Sequence, residues 1–209
     1  MPYRETARTR ARLDAARERI VEAATAQVAE AGYSSASVTA VAKRAHVATG
    51  SVYRHFPSKA ELFAEVFRRA SQRELNVVEN VTGDESLPPS ERIAAAAEAF
   101  ARRALAAPTM AYALLAEPVD PSVEKERLSF RRGYRDAFAR ALEDGIAAGE
   151  FRDHDTEIAA AAIVGALGEA LVGPLHGRGN GNDALVANLI QFCLFGIKEN
   201  ADVGARSHA

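Results

Sequence analysis

Cysteine is nearly absent. Cys193 is the only one in 209 residues, which excludes an intrachain disulfide and any metal site built from several cysteines. No apolar run stays free of charge for the about 18 residues that a membrane helix needs. The arginine-rich N-terminus lacks the apolar core of a signal peptide, and strand-like alternation is rare. These absences lead us to expect a cytoplasmic, all-α protein without a membrane partner.

Hydrophobic residues, in contrast, make up 48% of the chain and alanine is abundant, so a sizeable helical core can form. Helical periodicity predicts about nine helices. The stretch TGDESLPPS at 82–90 is rich in acid and proline and is the expected domain boundary. We predict a three-helix domain at residues 9–56, a connecting fourth helix at 57–81 and a second helical domain at 90–200.

Apolar spacing and capping residues place the N-terminal helices. The first helix is expected to run to Ala31 and to stop at Gly32. Its inner side is formed by four apolar positions, Leu13, Ile20, Ala24 and Val28. Ser37 caps a second helix, and His46 with Val47 forms a tight turn to a third. The third helix ends before Pro57. Ser58 then caps a fourth helix whose Glu61 completes a capping box.

The charge of the chain is unevenly distributed. Residues 1–75 hold 13 Lys and Arg against 8 Asp and Glu, whereas the other 134 residues hold 13 against 20. A basic N-terminal part on an acidic remainder suggests that the basic part meets a polyanion, although uneven surface charge without a role is the alternative.

Two short helices joined by a tight turn, the second carrying small, hydroxyl and basic residues, form a helix-turn-helix. A DNA major groove about 12 Å wide admits one helix, whose side chains must be short enough to let it approach. Thr49, Gly50 and Ser51 are short and stand at the N-terminal end, where base edges are usually contacted. Arg54 can pair with guanine or phosphate. This arrangement favours DNA binding.

Phosphate contacts are expected around this helix. Tyr53 and His55 can donate to phosphate oxygens, and Lys59 lies in the first turn of the fourth helix. For Tyr53 and His55, an ordinary core aromatic and an ordinary surface histidine are the alternatives. The complete predicted DNA-contact set is Ser37, Thr39, Lys43, Thr49, Gly50, Ser51, Tyr53, Arg54, His55 and Lys59.

The segment from Arg17 to Leu62 resembles the DNA-binding domain of the tetracycline-repressor (TetR) family of bacterial transcriptional regulators. The resemblance is carried by RERIVEAATAQVAEAGY, SVTAVAKRAHV, TGSVYRHF and PSKAEL. It covers about a quarter of the chain, and a weaker resemblance lies in GALGEALVGPL at 165–175. Two positions depart from the family, because His46 stands where glycine is usual in the turn and Val28 where phenylalanine is common. Some backbone strain is expected at His46.

The resemblance implies a homodimer that binds a palindromic double-stranded DNA operator and is released by a small-molecule effector. It implies no cofactor and no enzymatic activity. We expect a repressor with a mostly apolar effector. The candidate effector-binding residues recur at helical spacing or mark polar positions among the aromatics. They are Phe100, Arg103, Met110, Tyr112, Leu115, Phe130, Tyr134, Phe138 and Glu169, with Glu117, Arg131 and His176 as further polar markers.

The last two helices are the expected dimer interface. Gly165 and Gly168 lower helix propensity, which suggests close approach of a partner helix. Four apolar positions of the final helix would complete a four-helix interface: Leu185, Leu189, Phe192 and Phe195. An ordinary buried helix within one subunit is the alternative.

Two other functions remain to be weighed. An all-α enzyme would require converging acid, base or metal groups, and His154-Asp155 is an isolated pair that a helix cap explains. An adaptor that has lost DNA binding is less consistent with the intact Tyr53-Arg54-His55 run and Lys59. The arginines at 4, 8, 10 and 12 are expected to attract DNA generally rather than to enter a minor groove.

Overall fold

The computed structural model describes residues 7–177 and 183–197, and within them the chain forms nine α-helices. This confirms the all-α prediction. In chain order the helices are α1 (Ala7–Ser35), α2 (Val38–Arg44), α3 (Thr49–His55), α4 (Lys59–Thr82), α5 (Pro89–Ala106), α6 (Pro108–Leu115), α7 (Pro121–Ala147), α8 (Thr156–Leu175) and α9 (Asp183–Phe195).

The predicted caps organise the helix-turn-helix. The Ser37 side chain accepts a hydrogen bond from the N–H of Ala40 at the start of α2, 3.2 Å away. After α2, His46 adopts a φ of 54°, and the N–H groups of His46 and Val47 donate to the carbonyls of Lys43 and Ala42. This is a Schellman ending with histidine in the position that glycine usually occupies. The turn between α2 and α3 is thus fixed by backbone hydrogen bonds.

The start of α4 is capped as expected, because the Ser58 hydroxyl accepts from the N–H of Glu61 at 3.1 Å. Farther along the chain, Asp155 accepts from the N–H of Ile158 at the start of α8. Gly149, with a φ of 73°, ends α7 in a second Schellman arrangement. Short-range sequence signals therefore set most helix ends.

Gly32 does not end α1 but interrupts it. Its φ of 79° and ψ of 172° lie in a region of backbone space that is essentially reserved for glycine, and one more helical turn follows. The kink leaves the N–H groups of Tyr33 and Ser34 without helical partners. The carboxylate of Glu117 accepts both, at 2.8 and 2.9 Å. A Cβ added at Gly32 would lie 3.1 Å from that carboxylate, so glycine also gives the acid room.

The chain divides into two compact units. The first combines the described residues up to Ser71 with Ala107–Leu128, so α6 and the start of α7 belong to the N-terminal unit. Its core is contributed by α1, α2, α3 and α4, with Ala113 and Val123 inserted from α6 and α7. Residues 82–90, the predicted domain boundary, lie inside the second of these compact units rather than between the two. The three predicted functional domains stay a prediction. Leu13, expected in this core, is 42% exposed because the core begins only at Ile20.

The second unit contains Gln72–Ala106 and the described residues from Ser129 onward. Within it α5 packs against α8 and α9, and α8 packs against α9. Gly145 of α7 lies against the ring of Phe151, where an added Cβ would come within 2.1 Å of the ring. Arg92 is buried and links Asp144 to the carbonyl of Thr82 at the end of α4. α4 and α7 each contribute residues to both units, so the chain passes from one unit to the other within these two helices and once more between α5 and α6.

Among the residues that the structure describes, one helix, α8, is long and apolar enough to cross a membrane by length and composition. Of its most apolar stretch of 18 residues, 28% is buried. It carries Glu157 and Glu169, so no 18-residue stretch within α8 is free of charge. The core helix of a water-soluble protein passes the same test. α8 runs to Leu175 and includes Pro174. Arg4 and residues 198–200 of the predicted second domain lie outside the described residues, as do residues 178–182.

The Glu117 carboxylate gives the first prediction. Burial raises its pKa, but hydrogen bonds from Ser34 and Tyr33 and the charge of Arg127 outweigh burial, so the pKa of Glu117 lies below its usual value. An amide accepts through one atom only, so Glu117→Gln leaves one N–H unpaired. We expect the free energy of unfolding to fall by about 1.5–3 kcal/mol at pH 7 in urea titrations.

The pH dependence of that loss is also determined. A depressed carboxyl pKa contributes stability above the pKa of the unfolded chain, and this contribution disappears as pH falls through the folded value. The difference between wild type and Glu117→Gln should therefore narrow below about pH 4.3, the ordinary glutamate value. Glu22→Gln, an exposed position on α1, is the matched control. A difference that stays constant down to pH 3 would contradict the assignment.

Candidate nucleic-acid interface

The helix-turn-helix turns one side inward and the other outward. Val38, Val41 and Ala42 of α2 are buried, as are Val52 of α3 and Phe56 just after it. Arg17 of α1 places its guanidinium over the Phe56 ring, 4.9 Å from the centroid. These contacts fix the rotation of α3 about its axis, and that rotation decides which side chains of α3 face outward.

The outward side carries the predicted DNA-contact set. Tyr53 is 47% exposed although it is aromatic, and Arg54 beside it is exposed as well. Thr49 and Ser51, at the beginning of α3, are half-buried, and Gly50 between them is open, with nothing within 4 Å of an added Cβ. None of the ten predicted residues is buried: Ser37, Thr39 and Lys43 are exposed, and His55 and Lys59 are half-buried. The structure thus leaves all of them accessible to a ligand.

Lys59 has a defined position. Its ammonium lies 5.1 Å from the ring centroid of Tyr33 and 5.7 Å from that of Phe63. Tyr33 in turn packs edge-on against Phe63 and Phe67, with centroids 5.5 and 5.8 Å apart. The lysine at the start of α4 therefore contacts two rings of a three-ring cluster.

Ion pairs tie α1 to its neighbours. Arg44 at the end of α2 is exposed and makes two 2.7 Å hydrogen bonds to Glu30. Glu65 of α4 accepts from Arg17 and Arg69. Burial raises the pKa of Glu65, but the hydrogen bonds from neighbouring arginines lower it by a larger amount. The pKa of Glu65 therefore lies below its usual value, and the carboxylate is charged at neutral pH. α4 is thereby held against α1 within the N-terminal unit.

The predicted effector residues divide between the units. Met110, Tyr112 and Leu115 belong to the first unit, where Met110 packs against the core. The other six lie in the second unit. Phe100 and Tyr134 meet edge-on at 5.5 Å, and Phe130 and Phe138 are buried. Burial raises the pKa of Tyr134, so its hydroxyl stays protonated. Arg103 is exposed and bound to Glu74, and Glu169 is exposed on α8.

Two other chemical candidates receive structural explanations. Asp155 caps α8, and the His154 Nδ1 lies 2.7 Å from the carbonyl of Arg152. Among residues 7–177 and 183–197, no group of three or more His, Cys, Asp or Glu side chains is arranged to hold a metal ion. Cys193 is buried, and burial raises the pKa of its thiol to about 11. A thiol with such a pKa is protonated and unreactive at neutral pH.

Glu117 was expected as a polar marker of the effector pocket, but backbone N–H groups occupy both oxygens of its carboxylate. The role of Tyr33, whose hydroxyl donates to Asp120, was not predicted. The available signal was the Gly32-Tyr33 pair, but the partners stand more than 80 residues away.

Comparison with known families explains this architecture. The model of the family described as bacterial regulatory proteins, tetR family, matches residues 20–66. The model of the tetracyclin repressor-like C-terminal domain matches residues 86–170. The chain belongs to the TetR family. Its members are transcriptional regulators, which supports a regulator over the all-α enzyme considered from the sequence.

Individual relatives of this TetR-family chain agree. The HTH-type transcriptional repressor KstR of Rhodococcus jostii is 42% identical over 57 residues, which are 27% of this chain and 27% of KstR. The match thus spans about a quarter of that relative. FadR from Bacillus subtilis, in complex with stearoyl-CoA, has a TM-score of 0.73 at 21% identity, over 86% of this chain and 98% of FadR.

The fatty acid degradation regulator FadR from Bacillus halodurans has a TM-score of 0.72 at 23% identity, over 87% of this chain and 99% of that one. At such low identity the two FadR structures establish the fold of this TetR-family chain. The DNA and effector contacts of individual residues stay predictions.

Variants on α3 and at the start of α4 should separate two kinds of predicted DNA contact in this TetR-family chain. Tyr53→Phe and Lys59→Ala should weaken binding to all duplexes, and Lys59→Ala should lower the slope of log affinity against log salt by about one. Thr49 or Ser51 substitutions should change the preferred sequence, because these residues stand where base edges are contacted. Gel shifts at several salt concentrations and selection from random DNA measure the two effects. A salt slope unaffected by Lys59→Ala would contradict its phosphate role.

Proposed function

We propose that this chain is a ligand-responsive, DNA-binding transcriptional repressor that works as a homodimer. The observation that carries the proposal is the orientation of α3. Its apolar Val52 points into the core while Thr49, Ser51, Tyr53 and Arg54 remain accessible. A helix with short side chains at its start and cationic or hydroxyl groups farther along suits a major groove lined by phosphates. Such a regulator acts in the cytoplasm, where the DNA is.

The proposed dimerisation through α8 and α9 is supported by apolar surface that one subunit leaves uncovered. Ile158 on α8 is 68% exposed, and Phe192 and Phe195 on α9 are 67% and 70% exposed. Apart from the adjoining backbone of α8, none of the described residues comes within 4 Å of a Cβ added at Gly165 or Gly168. Small residues beside exposed phenylalanines allow two helices from each subunit to approach closely across a two-fold axis. The same interface accounts for the apolar composition of α8.

The effector is proposed to be a small, mostly apolar molecule. The second unit places Phe100 and Tyr134 in contact, both half-buried, among alanine-rich helices. The FadR of Bacillus subtilis, which shares the fold, was solved with stearoyl-CoA, a molecule with a long apolar chain. An effector releases DNA if it binds more tightly to a dimer whose two α3 helices no longer match successive half-sites.

DNA binding and release are tested together. In fluorescence polarisation at low salt, the protein should bind a random-sequence duplex, and affinity should fall steeply as salt rises. In a thermal-shift panel, apolar molecules should raise the melting temperature by about 5–10 °C at about 100 times their dissociation constant. The same molecules should release DNA. No binding to any duplex, or stabilisation by polar molecules alone, would contradict the proposal.

The interface gives a separate prediction. Phe195→Glu should convert the dimer to a monomer in sedimentation velocity, because a two-fold interface places the new charge in both subunits without a partner. Leu128→Glu is the matched control, since Leu128 is also an exposed apolar residue, at 54%, but lies on α7. It should remain dimeric. The dimer is refuted if wild type sediments as a monomer at micromolar concentration.

A further inference from the structure

The connection between α6 and α7 makes several specific side-chain hydrogen bonds. We call residues 116–120 the α6–α7 turn. Arg127 donates to the carbonyls of Ala113, Leu114 and Glu117, so α7 holds the end of α6 and the turn in one arrangement. Glu117 itself is 7% exposed. A buried carboxylate in a loop fixed in this way needs hydrogen-bond donors at a defined position.

That partner is the backbone at the end of α1. The two oxygens of Glu117 accept the N–H groups of Tyr33 and Ser34, and Gly32 leaves the space for them. The Tyr33 hydroxyl donates to Asp120 of the same turn. Burial and this bond to Asp120 raise the pKa of Tyr33, so the donor proton is retained at neutral pH. The α6–α7 turn therefore accepts hydrogen bonds from both the backbone N–H and the hydroxyl of Tyr33.

The other side of Tyr33 meets the proposed DNA surface. Its ring supports the ammonium of Lys59 at 5.1 Å, while Phe63 and Phe67 hold the ring edge-on. The negative face of an aromatic ring attracts a cation held over it, which favours one position of a flexible lysine. Lys59 is half-buried, so part of it remains open to a phosphate.

We propose that Glu117 and Asp120 are positioning residues for DNA binding. They fix Tyr33, and Tyr33 holds Lys59 where it contacts a phosphate. Neither acid touches DNA. The proposal rests on the proposed DNA-binding function, and it gives the α6–α7 turn a role that its distance in sequence from the helix-turn-helix does not suggest. α7 continues from the α6–α7 turn into the second unit. The hydrogen bonds between this turn and residues 33 and 34 therefore involve a segment that leads along the chain into the second unit.

A purely stabilising role makes different predictions. If Glu117 only stabilised the fold, Glu117→Gln would reduce the fraction of active protein but leave the number of phosphate contacts unchanged. If its charge only repelled DNA, removing it would raise affinity. Positioning predicts weaker binding together with a lower salt slope, because one phosphate contact is lost.

The experiment measures binding to one random-sequence duplex at four or more salt concentrations, with active protein counted by titration at saturating DNA. We expect Glu117→Gln to bind about three- to tenfold more weakly at 0.1 M salt and to lose about one from the slope, as Lys59→Ala does. In the Lys59→Ala background, Glu117→Gln should lower the slope no further. Glu117→Asp, which keeps two acceptor oxygens, should be intermediate.

A second variant keeps the test decisive if Glu117→Gln folds poorly. Tyr33→Phe removes only the bond to Asp120 and retains the ring, and we expect about two- to fivefold weaker binding with a lower slope. Glu126→Gln, a carboxylate on α7 outside the turn, is the matched control and should not lower the slope.

Two failures are distinguishable. If Lys59→Ala and Arg54→Ala leave binding unchanged, the proposed DNA surface is wrong. If they weaken binding while Glu117→Gln and Tyr33→Phe keep the wild-type slope, the positioning role is overturned and the DNA-binding function stands.

Discussion

Two backbone N–H groups lose their helical partners where α1 is interrupted at Gly32, and one buried carboxylate from a distant part of the chain accepts both. An unpaired buried N–H costs about 1–3 kcal/mol, so the kink and the carboxylate require each other. The kink directs Tyr33 towards Phe63 and Phe67, which builds the inner side of α4 against α1. The arrangement of the N-terminal unit depends on this single exchange of hydrogen bonds.

The orientation of α3 depends on packing rather than on charge. Val52 and Phe56 are the only large apolar side chains that α3 and its end direct inward, and Arg17 covers the Phe56 ring. Once these are buried, the helical repeat leaves Tyr53 and Arg54 outside. The basic character of the first 75 residues then acts over a longer range, attracting a polyanion to a surface that packing has already shaped.

Local features were predictable from the sequence, and distant contacts were not. Ser37, Ser58 and Asp155 cap helices because a short hydroxyl or carboxylate reaches an N–H three residues away, whatever the rest of the fold does. Leu13 was misplaced because periodicity identifies an apolar side of a helix but not where its partner begins.

Glu117 was misplaced for a related reason. A lone acid in an apolar region has many possible partners, and the two N–H groups that Glu117 accepts lie 84 and 83 residues earlier in the chain. Gly32 was recognised as a helix breaker, yet periodicity gave no sign that the helix resumes after it. The ten residues that the sequence predicts to contact DNA are all accessible, because the helical repeat that buries Val52 and Phe56, four residues apart, leaves their neighbours on α3 outside; their DNA contacts stay a prediction.

The N-terminal unit is assembled from two separate stretches of chain, and this limits how the protein can be dissected. A gene fragment ending in the proline-rich linker at 82–90 would encode every residue of the helix-turn-helix yet omit α6 and the start of α7. Such a fragment would expose the core at the places of Ala113 and Val123 and would leave the Tyr33 and Ser34 amides bare. To fold in isolation, the N-terminal unit would need residues 107–128 as well, either fused after α4 or supplied as a complementing peptide.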